Sequence, residues 1–198
     1  MHRFLVMLYP GYCYYEIALL TETLAFTKDN WQMTTVAADS NLVESEDHFK
    51  IKPDKLFSQV NPFDYQLLIL PGIDDYRIPL AVSQNIDFLK KLQHPKKRPL
   101  IAAISSSPIL LAKAGLLNDT KFMSGLFEEA YDRNSFIPKQ NLVRKPVVTD
   151  NGIVTASGQF FREFAIETLR QLKYNVPDNS FAPARKYPPY TNEELTYR

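Results

Sequence analysis

The sequence contains few of the residues that hold small proteins together covalently or through metals. Its 198 residues include one cysteine, Cys13, and three histidines. One cysteine forms no internal disulfide, and no cluster of cysteine and histidine has the spacing of a zinc site. We therefore expect no internal disulfide, no structural metal and no cofactor.

An excess of charge of one sign and long apolar runs are also missing. Lysine and arginine number 23 against 22 acidic residues, which gives a net charge of +1 and no long-range field to attract nucleic acid or an anionic membrane. No apolar run approaches the roughly 20 residues of a membrane span. We expect the opening segment RFLVMLYP to form the first strand rather than to belong to a secretion signal. We expect a cytoplasmic protein that binds neither nucleic acid nor membrane.

Apolar residues make up 45% of the chain, enough for one well-packed core. Buried strand patterns alternate with amphipathic helix patterns, which predicts an α/β fold with a mostly parallel sheet covered by helices on both faces. Residues 1–173 form the predicted domain. Prolines recur in residues 174–198, which indicates an extension that packs on the domain or on a partner.

The stretch from Leu100 to Leu117 joins a buried strand to a helix through three serines and a proline. Ser105 stands at the carboxyl end of the strand. Ser106 and Ser107 are predicted to cap the helix, and Pro108 suits its first turn. This is the layout of a nucleophile elbow, in which a side chain projects from the sheet beside the amino end of a helix.

Four loops of the predicted sheet leave the carboxyl ends of its strands, where ligands bind in such folds. They carry Glu16, Gly72, Ser105 and Ser157. We expect the first strand and the elbow strand to be neighbours, with Glu16 and Ser105 within hydrogen-bonding distance. One pocket for a small molecule is predicted at this edge. Residues 42–51 look like a short hairpin arm on the surface.

The elbow segment LIAAISSSP, followed by AKAGLL, resembles the signature AAIC-x-x-P of the ThiJ/PfpI superfamily, which includes protein deglycases and intracellular proteases. The resemblance spans residues 3–173. It implies a flavodoxin-like three-layer α/β/α sandwich of the class I glutamine amidotransferase-like type. Ser105 falls where the family has its nucleophilic cysteine. The segment YPGYCYYEIALL is similar to the family's opening loop, and this likeness places Glu16 opposite the nucleophile.

Further parts of the chain match, or depart from, the family's pocket. Ile73 replaces the second glycine of the family motif PGG, whose amide is expected to line the oxyanion site together with the amide of Ser106. Phe122 stands where many relatives have a histidine. Ser157 and Gly158 match the closing strand and its glycine turn.

The candidate residues leave alternatives open. Ser105 is either a nucleophile or a serine that lines the pocket, because a hydroxyl ordinarily needs an adjacent base. Glu16 is either that base or a protonated hydrogen-bond donor. Cys13 lies three residues before Glu16 and is either a replacement thiol near the amino end of the helix or a small buried apolar residue.

The sequence thus supports two functional hypotheses. In the first, the chain is a catalytically degenerate ThiJ/PfpI-like pseudoenzyme, a homodimer that binds a small molecule or acts in regulation. In the second, it is a hydrolase with amidase, peptidase or deglycase-like activity, in which Ser105 attacks and Glu16 handles the proton. The absence of cysteine at the elbow and of histidine at Phe122 favours the first.

We predict that mild peroxide leaves the native elbow unchanged. A thiolate is oxidised stepwise to sulfenic and sulfinic acids, whereas a serine hydroxyl is not. Intact-mass measurement should show a stable gain of oxygen in Ser105→Cys and none in the wild type, which keeps Cys13 as its own internal control. A wild type that gains two oxygens at Cys13 as readily would place the reactive thiol in the opening loop instead.

Overall fold

The computed structural model describes residues 2–93, 98–181, 191–193 and 195–196. His94 and most of the basic stretch that follows it lie outside the described residues, as does most of the chain after residue 181.

The strands follow from short apolar or β-branched runs, many of them buried on both sides. In chain order they are β1 (Arg3–Met7), β2 (Tyr12–Cys13), β3 (Gln32–Ala37), β4 (Val43–Glu44), β5 (Lys50–Ile51), β6 (Lys55–Leu56), β7 (Leu67–Leu70), β8 (Gly72–Ile73), β9 (Leu100–Ile104), β10 (Val147–Asp150) and β11 (Ile153–Ala156). In β7 all four residues are buried. Such a run is typical of a strand inside a parallel sheet that is covered on both faces.

The helices connect these strands. They are α1 (Tyr15–Phe26), α2 (Arg77–Ala81), α3 (Ser83–Lys90), α4 (Pro108–Lys113), α5 (Glu128–Arg133) and α6 (Phe161–Gln171). Gly115, with φ of +78°, follows α4 and supplies the left-handed residue that commonly ends a helix. Helix α1 packs on α6, whereas α4 packs on α2 and α3.

In the described part of the chain, seven strands form the main sheet in the order β10-β11-β9-β7-β1-β3-β6. Each of its pairings is parallel except that of β10 with β11, whose connecting turn places Asn151 at φ 46° and Gly152 at φ 68°. Such a pair of left-handed residues is typical of a tight hairpin turn. The predicted flavodoxin-like α/β fold with a mostly parallel sheet is confirmed.

The order of the strands corrects one expectation. The first strand, β1, and the elbow strand, β9, are not neighbours, because β7 pairs with both of them. The loops after β1, β7 and β9 nevertheless leave the same edge of the sheet. The loop after β7 therefore lies between Glu16 and Ser105 in the strand order.

Two short antiparallel strand pairs lie near this end of the sheet. Strand β2 pairs with β8, so that Cys13 lies opposite Gly72. The arm formed by β4 and β5 is partly buried rather than wholly on the surface: Ser45 is buried and is bridged to Tyr12.

The described end of the C-terminal extension lies on the domain. Leu195 is buried in a small apolar cluster with Met123, Val148 and Phe160, and the Arg144 guanidinium donates to its carbonyl oxygen at 3.1 Å. None of the helices in the described ranges has the length and apolar content needed to cross a membrane.

Candidate functional site

Ser105 forms the elbow. Its φ of 63° lies in the left-handed region, which is costly for a residue other than glycine. Three hydrogen bonds hold this conformation: the Ser105 amide donates to Ala156 O at 2.8 Å, and its carbonyl accepts from Gly125 N at 2.7 Å and from Ser124 Oγ at 3.1 Å. The predicted strained turn between strand and helix is confirmed, and the Ser105 side chain is only partly buried.

Gly125 allows a neighbouring segment to approach this turn, and its importance was not expected from the sequence. A Cβ atom at Gly125 would lie 3.3 Å from both the Cα and the carbonyl carbon of Ser105. A side chain there would press on the strained backbone. The only signal in the sequence was its place in the segment FMSG, beside the position expected to carry histidine.

Glu16 lies in the first turn of α1 and is 3% exposed. Two glycines enclose its carboxyl group. A Cβ at Gly72 would lie 1.9 Å from Glu16 Oε2 and 2.8 Å from Ser105 Cβ, and a Cβ at Gly158 would lie 2.2 Å from Glu16 Oε1 and 3.1 Å from Ser105 Oγ. The structure therefore brings Glu16, Gly72, Ser105 and Gly158 together at one point. The sequence predicted this convergence for the loops of Glu16, Gly72, Ser105 and Ser157, the residue that precedes Gly158.

Burial raises the pKa of Glu16 to about 7. The Ser105 hydroxyl and the Gly72 amide are hydrogen-bonding neighbours that favour the charged carboxylate and lower the pKa, whereas the nearby charge of Glu46 raises it. In the described residues, Glu16 Oε2 has no hydrogen-bond partner. The carboxyl thus titrates near neutral pH.

The predicted oxyanion site differs from expectation. The Ile73 amide donates to Ser106 Oγ at 3.0 Å, and the same hydroxyl donates to Ile73 O at 2.7 Å. Ile73 has no positive φ, so its branched side chain causes no backbone strain there. The prediction that the Ile73 amide lines an open oxyanion site is wrong in this structure, because a hydroxyl already occupies that amide.

Ser106 and Ser107 do not cap α4 through their side chains. Ser107 Oγ donates to Leu70 O at 3.0 Å and to Ile104 O at 2.7 Å, and the Tyr9 hydroxyl donates to the Pro71 carbonyl. Apart from the bond to Ile104 O, these bonds and the bond from Ser106 are accepted by the end of β7 and the loop that follows it. The serines therefore fasten that loop instead of satisfying the free amides of the helix.

Two further candidates, Phe122 and Ser157, are both buried. Phe122 is 1% exposed and belongs to the apolar core, so its side chain brings no polar group to the site. Ser157 directly precedes Gly158 and is fully buried, and its Oγ has no hydrogen-bond partner within the described ranges.

The two described histidines contact other parts of the chain. The His2 ring stacks on Trp31 with 4.9 Å between ring centroids, and His48 contacts Glu44 on the arm with most of its side chain exposed. No group of three or more metal-ligating side chains that could hold an ion occurs among the residues that the structure describes.

Cys13 belongs to β2 rather than to α1 and is 5% exposed. Its Sγ donates to Glu46 Oε2 at 2.6 Å. Burial, followed by the charges of Glu16 and Glu46, raises the pKa of this thiol well above its ordinary value. The structure therefore favours the inert interpretation of Cys13. Glu46 was missed in the sequence, because nothing local in the arm indicates that it reaches the opening loop.

The sheet, the strained elbow and the enclosed glutamate define a flavodoxin-like α/β protein with a nucleophile-elbow site. The sequence profile of the DJ-1/PfpI family matches residues 2–171. The chain belongs to this family, as the elbow motif indicated.

Individual relatives agree with this assignment. The chain is 30% identical over 173 residues to the Bacillus subtilis (strain 168) protein named "Uncharacterized protease YoaZ", with 83% of this chain and 78% of that one covered. It is 27% identical over 179 residues to "Uncharacterized protease YdeA" of the same organism, with 90% and 87% covered. The crystal structure of the DJ-1 superfamily protein Atu0886 from Agrobacterium tumefaciens has the same fold, with a TM-score of 0.76 at 24% identity and coverage of 90% and 93%.

The raised pKa of Glu16 predicts a specific dependence of stability on pH. Because the folded protein binds this proton more tightly than the unfolded chain does, the stabilisation is full below the ordinary value of 4.5 and is lost as the pH rises to about 7. The total loss is on the order of 3 kcal/mol. Glu16→Gln stays neutral, so it should match the wild type near pH 4 and be the more stable protein at pH 8.5.

Urea unfolding at several pH values measures this difference. Glu22→Gln, an exposed change on the same helix, should follow the wild type at each pH. A Glu16→Gln protein that is less stable than the wild type at pH 8.5 would show that the pocket favours the ionised carboxylate.

Proposed function

We propose that this DJ-1/PfpI protein binds a small polar molecule at the Glu16–Ser105 pocket without forming a covalent bond to it, and that it works as a homodimer. The observation that carries the proposal is the chemistry around Ser105. Its hydroxyl neighbours a buried carboxyl with a pKa of about 7 rather than an imidazole. Only the ionised form of that carboxyl can accept the proton of a hydroxyl, and its protonated form is a hydrogen-bond donor.

Unpaired polar atoms around the pocket support a binding role. Glu16 Oε2 and Ser157 Oγ are buried and have no hydrogen-bond partner in the part of the chain that the structure describes. Buried polar atoms without partners are costly, and a ligand or a water molecule that pairs with them removes this cost. A small molecule that carries both donor and acceptor groups, such as a primary amide, has the matching chemistry.

One observation favours a second candidate function, a serine hydrolase. Ser105 is held in the strained conformation that exposes a nucleophile, beside a carboxyl that could accept its proton. Two relatives also carry the word protease in their names. In this alternative Ser105 attacks an amide, a peptide or a glycated group, and Glu16 transfers the proton.

Turnover assays separate the two candidates. The wild type, Ser105→Ala and Ser105→Cys are compared on p-nitrophenyl acetate, an amino-acid p-nitroanilide and methylglyoxal. We expect the wild type to match Ser105→Ala on each compound and Ser105→Cys to gain measurable turnover, because a thiolate is a far better nucleophile than a hydroxyl. Wild-type turnover clearly above that of Ser105→Ala would establish the hydrolase.

Binding itself is measured by titration with acetamide while the backbone amide signals of Gly72, Ser105 and Gly158 are followed by NMR. Saturable shifts at these three positions, reduced in Ser105→Ala, are the expected result. Shifts spread evenly over the surface would contradict a pocket at this place.

The homodimer in the proposal is supported by exposed aromatic side chains on α1. Tyr15 is 54% exposed and Phe26 is 82% exposed. Eleven residues separate them, about three helical turns, so both lie on the same side of the helix. A second copy of the chain that packs on this side of α1 would bury both side chains.

Sedimentation equilibrium tests the dimer. Phe26→Glu should weaken self-association by about tenfold or more, because a charge would be buried against apolar surface. Phe49→Glu changes another exposed aromatic residue, on the arm, and should leave association unchanged. A wild type that sediments as a monomer, or a Phe26→Glu protein that dimerises normally, would remove this part of the proposal.

A further inference from the structure

Ser106 forms an unusual pair of bonds with one residue across the pocket. Its Oγ accepts from the Ile73 amide at 3.0 Å and donates to the Ile73 carbonyl at 2.7 Å. Both polar backbone groups of Ile73 are therefore occupied by a single hydroxyl. Ser106 is 7% exposed and Ile73 is 4% exposed, so little water competes with either bond.

The Ile73 amide is otherwise well placed to serve the elbow. It belongs to the residue after Gly72, whose Cα lies so close to the elbow that an added Cβ would be 2.8 Å from Ser105 Cβ. Elbow enzymes stabilise a developing oxyanion with the amide that follows the nucleophile and a second amide from a neighbouring loop. Here the second amide is the one that Ser106 occupies.

We propose that Ser106 is a positioning residue whose hydroxyl occupies the Ile73 amide, so that the amide cannot bind a ligand. Ser106 thereby limits the elbow pocket to non-covalent binding. The inference rests on the proposed function and names the residue that enforces it. An incoming oxyanion has to displace a buried hydroxyl that is bonded at both ends. A neutral polar ligand that pairs with Glu16 and Ser105 does not.

The neighbouring serine shows that this arrangement is specific to position 106. Ser107 also carries a buried hydroxyl at the start of α4, but its bonds run to the carbonyl oxygens of Leu70 and Ile104. Removing that hydroxyl leaves the Ile73 amide engaged. Ser107→Ala is therefore the matched control for Ser106→Ala.

The first test measures the native-state hydrogen-exchange rate of the Ile73 amide by NMR. The result is expressed as the ratio of this rate to the exchange rate of the Ile69 amide in strand β7. In Ser106→Ala the ratio should rise by about tenfold or more, because the amide loses its partner without unfolding of the sheet. In Ser107→Ala the ratio should stay at the wild-type value. Ser106→Gly carries the same test if the alanine variant does not fold. An unchanged ratio in a folded Ser106 variant would overturn the proposal.

The second test uses the Ser105→Cys background and p-nitrophenyl acetate. The introduced thiolate attacks the ester carbonyl, a carbon–sulfur bond forms, and negative charge passes to the carbonyl oxygen. The ester bond to the leaving oxygen then breaks and p-nitrophenolate departs, after which water releases acetate. Ser105→Cys with Ser106→Ala should acylate about tenfold to a hundredfold faster than Ser105→Cys alone, because one oxyanion donor becomes free.

The outcomes distinguish this proposal from the function on which it rests. Ser105→Cys with Ser107→Ala should react no faster than Ser105→Cys. If the Ser106→Ala double variant is also no faster, the role of Ser106 is wrong while non-covalent binding still stands. If the wild type turns over the ester clearly faster than Ser105→Ala, the proposed function fails whatever the exchange experiment shows.

Discussion

The burial of the Glu16 carboxyl between Gly72 and Gly158 is the constraint on which the rest of the site depends. Each glycine leaves space that a methyl group would fill, within 1.9 Å and 2.2 Å of the two carboxylate oxygens. Because the group is removed from water, its pKa rises to about 7, and it is protonated for part of the time at neutral pH. The same enclosure places it against Ser105. The burial of the Glu16 carboxyl therefore accounts both for its position beside Ser105 and for its raised pKa.

The elbow is strained, and the surrounding hydrogen bonds sustain that strain. A φ of 63° at Ser105 is stable because its amide and carbonyl are bound by Ala156, Ser124 and Gly125. The hydroxyls of the next two residues then reach back to the loop after β7 rather than to the helix. Elbow and loop consequently form one hydrogen-bonded unit, so that a substitution in either segment is expected to move the other.

Much of the fold was predictable from the sequence because it depends on local patterns. Apolar runs gave the strands, and the Asn151–Gly152 turn gave the hairpin. The convergence of Glu16 and Ser105 followed from topology and from the resemblance, although β7 lies between their strands. What could not be predicted depends on the directions of side chains. No sequence pattern indicates that Ser106 turns toward Ile73 or that Glu46 reaches Cys13.

Serine at the elbow and the occupied Ile73 amide both disfavour acyl transfer. A serine nucleophile needs a base to take its proton and donors to hold the oxyanion. Glu16 carries a proton for part of the time at neutral pH, and in that form it cannot accept another one. One of the two expected donors is bound to Ser106. Either feature alone would slow acyl transfer, and together they oppose both halves of the step. An uncharged ligand, however, can bind without breaking the hydrogen bond between the Ile73 amide and Ser106. The Glu16 carboxyl can accept a hydrogen bond from such a ligand when it is ionised and donate one when it is protonated. The features that oppose catalysis are thus compatible with the reversible binding proposed above.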